Sequence, residues 1–518
     1  MPLPDNHSDR QVAMLSDRAA DPRQSLRLAD TASSLNPRRS NPWLDRVRLA
    51  IGGTESMRIV WRSEPVISEA RALFSLAAPF IIGNLAWSLI AAGNLFLIGH
   101  LGSDAVASGA LATNLYNAFQ IFGMGLATAI SPMIARERGQ NKYSVREIRR
   151  TVRQGMWITA GFCVPIWIAL WHAATILLAL GQDAVLAGQA QMLLRGLQWA
   201  LLPYLWFYGL RHFLGAMERP LWGVIITVAA LPVNFLLGWC LILGHLGLPR
   251  LGLFGAGLAS SLTALAMLLT LVTVIVRDRQ FQRFHVFGRF WAADWPRLLT
   301  MLRLGAPIAV TFAMEVTVFN ASAFLMGTIG RPSLAAHAIA NQIAGLCFMV
   351  PLGISQASTV RVGIAYGRRD AMAIRRAGWI ALGFALAFAM TSALTLAALP
   401  RNLIALFLDL HDPRNGEVVL LATKFIYIAG VFQLMDTTQA VNAGLLRGLH
   451  DTRYPMTVAV LGYWLVGMGT GYLLSTRTPL AGVGIWIGLA TGLAFVALLL
   501  SMRWLSRIDR LNFGAGIV

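Results

Sequence analysis

The chain has 518 residues, 56% of them hydrophobic and 13% charged, with a formal net charge of +19 and a mean hydropathy of +0.60. That balance excludes a soluble globular protein of this length and fits an all-α polytopic membrane protein. The charge does not read as a nucleic-acid footprint, because the Arg residues fall in short connections between apolar runs, where they orient membrane helices.

The apolar runs are long and continuous, which marks helices rather than the alternating strands of a barrel. Lys occurs only at Lys142 and Lys424, an Arg preference that points to a GC-rich bacterial coding sequence. Cys163, Cys240 and Cys347 sit singly inside apolar runs and read as small hydrophobes, with no disulfide or metal pattern.

Residues 1–65 form a polar arm with interleaved Arg and Asp and no cleavable signal pattern, expected to be a disordered cytoplasmic segment; a translation start at Met57 is the alternative. Twelve membrane spans follow, at 73–99, 105–134, 152–180, 186–212, 221–245, 254–276, 302–328, 334–360, 377–398, 418–446, 455–474 and 481–502. Basic residues alternate between the connections. Arg136, Arg138, Lys142, Arg146, Arg149, Arg150 and Arg153 crowd one, and Arg361, Arg368, Arg369, Arg375 and Arg376 another, whereas 100–104 and 181–185 carry none. Both termini are therefore expected on the cytoplasmic side, with a tail at 506–518. The basic, aromatic connection 277–301 reads as an amphipathic linker on that face, joining an N-lobe (66–276) to a C-lobe (302–505).

The two lobes repeat each other. The run from Ser75 aligns without gaps on the run from Arg303, 228 positions later, so that Pro79 meets Pro307, Gly99 meets Gly327 and Gly139 meets Gly367. A weaker echo pairs RHFLGAMERP from Arg211 with RGLHDTRYP from Arg447. Six spans being even, the copies share one orientation and are related by an axis along the membrane normal.

Two carboxylates lie well inside spans, Glu315 in the seventh and Asp436 in the tenth, while Asp104, Asp183, Glu218, Asp409 and Asp451 fall at span ends. An intramembrane acid is costly unless neutralised, paired or hydrated. With no basic residue within a helical turn or two, the pair calls for a mobile counter-charge: a proton, a metal cation or an organic cation. Gln433, Gln439 and Asn442 near Asp436, and Thr311 and Asn320 near Glu315, could orient a cation path, or serve only as interhelical hydrogen bonds. The first lobe offers neutral polar residues, among them Asn94 and Asn234. No nucleophile–base set, Walker loop or dinucleotide fingerprint occurs, so neither catalysis nor ATP coupling is expected of this chain.

Together the LxxPxxxxN start of the first span, FGMGLATAISPMIARERGQ, RHFLGAMERPLWGVIITVAALPVNF, RLGAPIAVTFAMEVTVF, STVRVGIAYG and AGLLRGLHDTRYP resemble the multidrug and toxic compound extrusion (MATE) family, in its bacterial NorM-like branch. The resemblance covers Leu73 to Leu505. It implies a V-shaped pair of six-helix lobes in the inner membrane, monomeric and without a bound cofactor, exporting cationic amphipathic compounds in exchange for Na⁺ or H⁺. On it, Glu315 and Asp436 match the second-lobe cation site and would be the Na⁺ ligands if sodium is the coupling ion. Asn94 stands where the family carries a first-span Asp, which favours coupling in the second lobe. The alternative is a lipid or lipid-linked oligosaccharide flippase, which would want a basic central cavity.

Overall fold

The computed structural model describes residues 63–141, 144–247 and 249–511; the polar arm up to Arg62 and the end of the tail lie outside them. The described residues are helical, with no strand among them, and eleven of their helices are long and apolar enough to cross a membrane. The helices of the first half are α1 (Ser63–Gly99), α2 (Ser103–Thr128) continued by α3 (Ile130–Gln140), α4 (Val145–Trp171), then the shorter α5 (Ala173–Ala179), α6 (Ala184–Leu197) and α7 (Leu201–Ala216), and the crossings α8 (Leu221–Leu243) and α9 (Gly252–Arg277). After the short α10 (Arg279–Gln282) come α11 (Trp295–Ile329), α12 (Arg331–Gly367), α13 (Ala371–Ala398), α14 (Pro400–Ile404) and α15 (Gly416–Gly448). The last crossings are α16 (Arg453–Ala459), a π-helical stretch (Val460–Met468), α17 (Gly469–Arg477) and α18 (Gly482–Asp509).

The fourth expected span, 186–212, is present but broken. A 3-10 turn at Gln198–Ala200 separates α6 from α7, which is why it is missing from the eleven continuous crossings. Pro203 has no N–H to close the helix behind it. Side chains of neighbouring helices also bond the backbone at the break: the Trp167 Nε1–H donates to Gln198 O at 2.9 Å and the Ser261 hydroxyl to Gly196 O at 2.6 Å.

The connection between the halves holds one short helix, α10, followed by turns. It turns after α10 and tucks Phe281, Phe284 and Val286 into the core of the first half. Asp294 ends it by accepting from Arg297 N and from Arg150 Nε (2.5 Å), so it caps α11 and ties that helix to α4.

The repeat is visible as reciprocal contacts. A Cβ on Gly139 would strike the Ile364 carbonyl, and one on Gly367 would strike the Arg136 carbonyl, two contacts related by the same offset of 228. Gly125 packs against Ala309 as Gly353 packs against Ile81, again 228 apart on both sides. Side-chain-free backbone is required at these crossings because helices meeting so closely leave no volume for a methyl group. Farther along the register changes. The turn Leu214–Arg219 and the turn Leu446–Asp451 have matching bonds, Glu218 N to Gly215 O and Arg219 N to Leu214 O, against His450 N to Arg447 O and Asp451 N to Leu446 O. Glu218 and His450 both hold positive φ, at 58° and 61°. The equivalent residues there are 232 apart, so Arg211 is not the counterpart of Arg447 as the sequence echo suggests.

These close crossings gather at the end of the bundle that carries the Arg-rich connections. Charges join the halves there: Arg361 binds both Glu69 and Glu218, and Arg138 binds Glu218 at 2.8 Å. His450 Nε2 meets Pro132 O at 3.0 Å.

Candidate functional site: a carboxylate cavity and a neutral cavity

Glu315 lies midway along α11, two turns beyond Pro307, and is half-buried. It lines a cavity of about 30 Å³ together with Thr311, Phe312, Ser355, Gln439 and Arg447. Space on that scale admits a water or a small ion. On the other side Glu315 reaches a smaller pocket shared with Tyr463 and Gly467.

Asp436 is 4% exposed and accepts from Gln439 Nε2 at 3.2 Å, while Gln439 Oε1 accepts from the Tyr463 hydroxyl at 3.0 Å. Through Gln439 and Tyr463 the two carboxylates are thus joined into one polar patch. Tyr463 was not singled out from the sequence; it sits in the π-helical stretch, where an extra residue per turn is a recurrent feature of functional sites. The donors are carboxylate, carboxamide and hydroxyl oxygens, a hard set suited to a proton or an alkali cation. Among the described residues no cluster of three or more His, Cys, Asp or Glu could hold a transition metal.

The expectation that these acids lack a fixed positive charge is corrected by Arg447. It stands three turns along α15 from Asp436, yet α15 packs against α12 and turns its guanidinium into the cavity beside Glu315. Arg447 is 6% exposed, donates to Ser355 Oγ at 2.8 Å and to Ala443 O at 3.2 Å, and lies 5.5 Å over the Phe312 ring. It forms no ion pair with either acid.

Of the other candidates in this half, Thr311 lines the cavity and bonds back to Pro307 O. Gln433 is buried within α15 against Thr437, outside the cavity lining. Asn442 ties α15 to Ser501 of α18 at 3.0 Å, an interhelical bond. Asn320 is exposed on a different face of α11 from Glu315.

Asn94 and Asn234 belong to a separate space, a cavity of about 980 Å³ lined mainly by the first half, with Gln342 and Phe407 contributed by the second. Asn94 donates to Ser260 Oγ and Asn234 to Thr263 Oγ1, each at 3.2 Å. Trp87 and Tyr204 also line it, stacked with centroids 4.0 Å apart, and α2 contributes Asn114, Asn117 and Gln120 at three-residue intervals. No charged side chain is in its lining.

The model of the MatE family matches residues 79–240 and again 307–473, its two starts separated by the offset of the internal repeat. The chain is 49% identical over 459 residues to a probable multidrug resistance protein NorM of Mesorhizobium japonicum, covering 89% of this chain and 97% of that protein. It is 46% identical over 448 residues to one of Brucella suis, covering 85% and 95%. Among solved structures, the eukaryotic MATE transporter AtDTX14 superposes with a TM-score of 0.76 at 20% identity, over 86% of this chain and 99% of that one. An outward-facing multidrug resistance MATE family transporter superposes with a TM-score of 0.77 at 18% identity, over 86% and 97%. These structural likenesses carry the fold.

Proposed function

The chain belongs to the MatE family, and on that premise we propose that it is a secondary active exporter of cationic amphipathic compounds, exchanging them for Na⁺ or H⁺ across a bacterial inner membrane. Its work is transport rather than catalysis. The observation that carries this reading is the patch of Glu315, Asp436, Gln439 and Tyr463 inside the helices, without a salt bridge to either acid. Arg447 shares the Glu315 cavity without an ion pair to either acid, which leaves the two carboxylates one fixed cation between them and a place for a mobile one, and a site that must bind and release a cation can be coupled to a gradient.

The ~30 Å³ around Glu315 in this conformation is room for an ion and not for a drug-sized cation, which favours separate places for the two. The compound occupies the large cavity of the first half, and the ion acts through helix movement at the seam. A ligand shifts such an equilibrium only by its difference in affinity for the two states. With the Arg-rich end and both termini in the cytoplasm, the closed crossings of Gly139 and Gly367 seal the inner side. A flippase for lipid-linked sugars would need basic groups around its pyrophosphate, and the large cavity offers none.

The test is ethidium transport by the purified full chain in proteoliposomes under a Na⁺ gradient alone or a pH gradient alone. Flux under one of them identifies the ion. No flux under either, with translocation of a lipid-linked sugar, establishes the flippase instead.

A further inference from the structure

Glu315 and Trp87 are equivalent positions. They are 228 residues apart, the offset that relates the two halves at Gly125 and Gly353. Asp436 and Tyr204 are likewise equivalent, 232 apart, the offset fixed by the matching turns that end α7 and α15. Where the second half carries its two acids, the first half carries two aromatic rings in stacked contact. The same place in the fold has become an ion site in one copy and an aromatic surface in the other.

We propose that the Trp87–Tyr204 stack is a binding platform for planar aromatic compounds that does not require them to be cations. Tyr204 is buried beneath the half-buried Trp87, so the pair presents one indole to a cavity of about 980 Å³. A planar ring system gains dispersion and quadrupole attraction on that face whether or not it is charged, and a positive charge adds a cation–π increment of similar size. Carboxylates, which would discriminate strongly, are absent from the lining. Polar groups on the compound are met by carboxamides. The Asn94 Oδ1 is buried without a hydrogen-bond partner, and Asn114, Asn117 and Gln120 run along α2 within the same lining. A carboxamide both donates and accepts, so it serves neutral and zwitterionic compounds as well as cations. This deepens the exporter reading and rests on it only for the fate of the bound compound.

The test is equilibrium binding to the purified full chain in nanodiscs, without any gradient. Ethidium is followed by its fluorescence gain, and phenanthridine (planar and neutral at pH 8) and tetrabutylammonium (cationic and non-planar) are measured by displacing it. Phenanthridine is expected within about tenfold of ethidium and tetrabutylammonium at least about tenfold weaker than phenanthridine. Trp87→Ala should weaken both planar compounds by about tenfold and Trp87→Phe should restore most of the loss. Displacement by tetrabutylammonium but not by phenanthridine would overturn the proposal, as would unchanged binding in Trp87→Ala. Planar compounds that bind as expected but cross the membrane under no gradient would refute the exporter reading and leave the platform standing.

Discussion

Arg361, near the end of α12, donates to Glu218 of the opposite half at 2.5 Å while its other nitrogens take both carboxylate oxygens of Glu69. Glu218 in turn holds Arg138, so one carboxylate bridges guanidinium groups from the two halves. These groups are partly screened by solvent, and bidentate geometry keeps their contribution above that of a simple surface pair. Arg361→Ala should shift the seam toward its open state by about 1–2 kcal/mol. Labelling of a single Cys placed at position 135 by a membrane-impermeant reagent should rise accordingly.

Gly139 and Gly367 allow α3 and α12 to cross with backbone against backbone. Replacing either by Val should cost roughly 1–3 kcal/mol of the closed seam, because neither facing carbonyl can move aside. The reciprocal contacts predict similar effects at the two positions, measurable by thermal unfolding in detergent and by the same labelling.

His450 also stands at the seam, and burial pushes its imidazole down to about 4. A histidine whose proton is held less tightly when folded contributes its full stability above its unfolded value near 6.5, and loses it as pH falls toward 4. The melting temperature should therefore drop over that window, and His450→Gln should flatten that part of the pH profile. A profile unchanged by the substitution would show that the ring does not contribute.

Tyr463→Phe removes the hydroxyl that orients Gln439 against Asp436. One hydrogen bond of this kind is worth ~1 kcal/mol, so the half-saturating concentration of the coupling ion should rise by roughly fivefold with the fold intact. Initial-rate flux in proteoliposomes as a function of ion concentration measures it.

Much of this arrangement was legible in the sequence because its signals are local or strictly periodic. Glu315 and Asp436 stand out as isolated acids in apolar spans, and the 228-residue repeat needs no gap to be seen as far as Gly139 and Gly367. What was missed depends on how helices turn and cross. Arg447 lies near the end of its span and reads as an interfacial charge until the packing of α15 on α12 brings it beside Glu315. Asn320 is close to Glu315 in sequence and looks outward, since five residues carry a helix through 500°. Trp87 reads from the sequence as one of several span aromatics, with Trp206 and Trp239, that could line a cleft or face lipid, and only the repeat aligns it with Glu315.

The most direct test of the account is gradient-driven ethidium flux through Glu315→Gln and Asp436→Asn in proteoliposomes, under whichever ion gradient drives the unaltered protein. Both substitutions keep side-chain size, and their folding is checked by melting temperature. The account predicts that each abolishes gradient-driven flux while the protein remains folded. Flux at the level of the unaltered protein in either variant would contradict it.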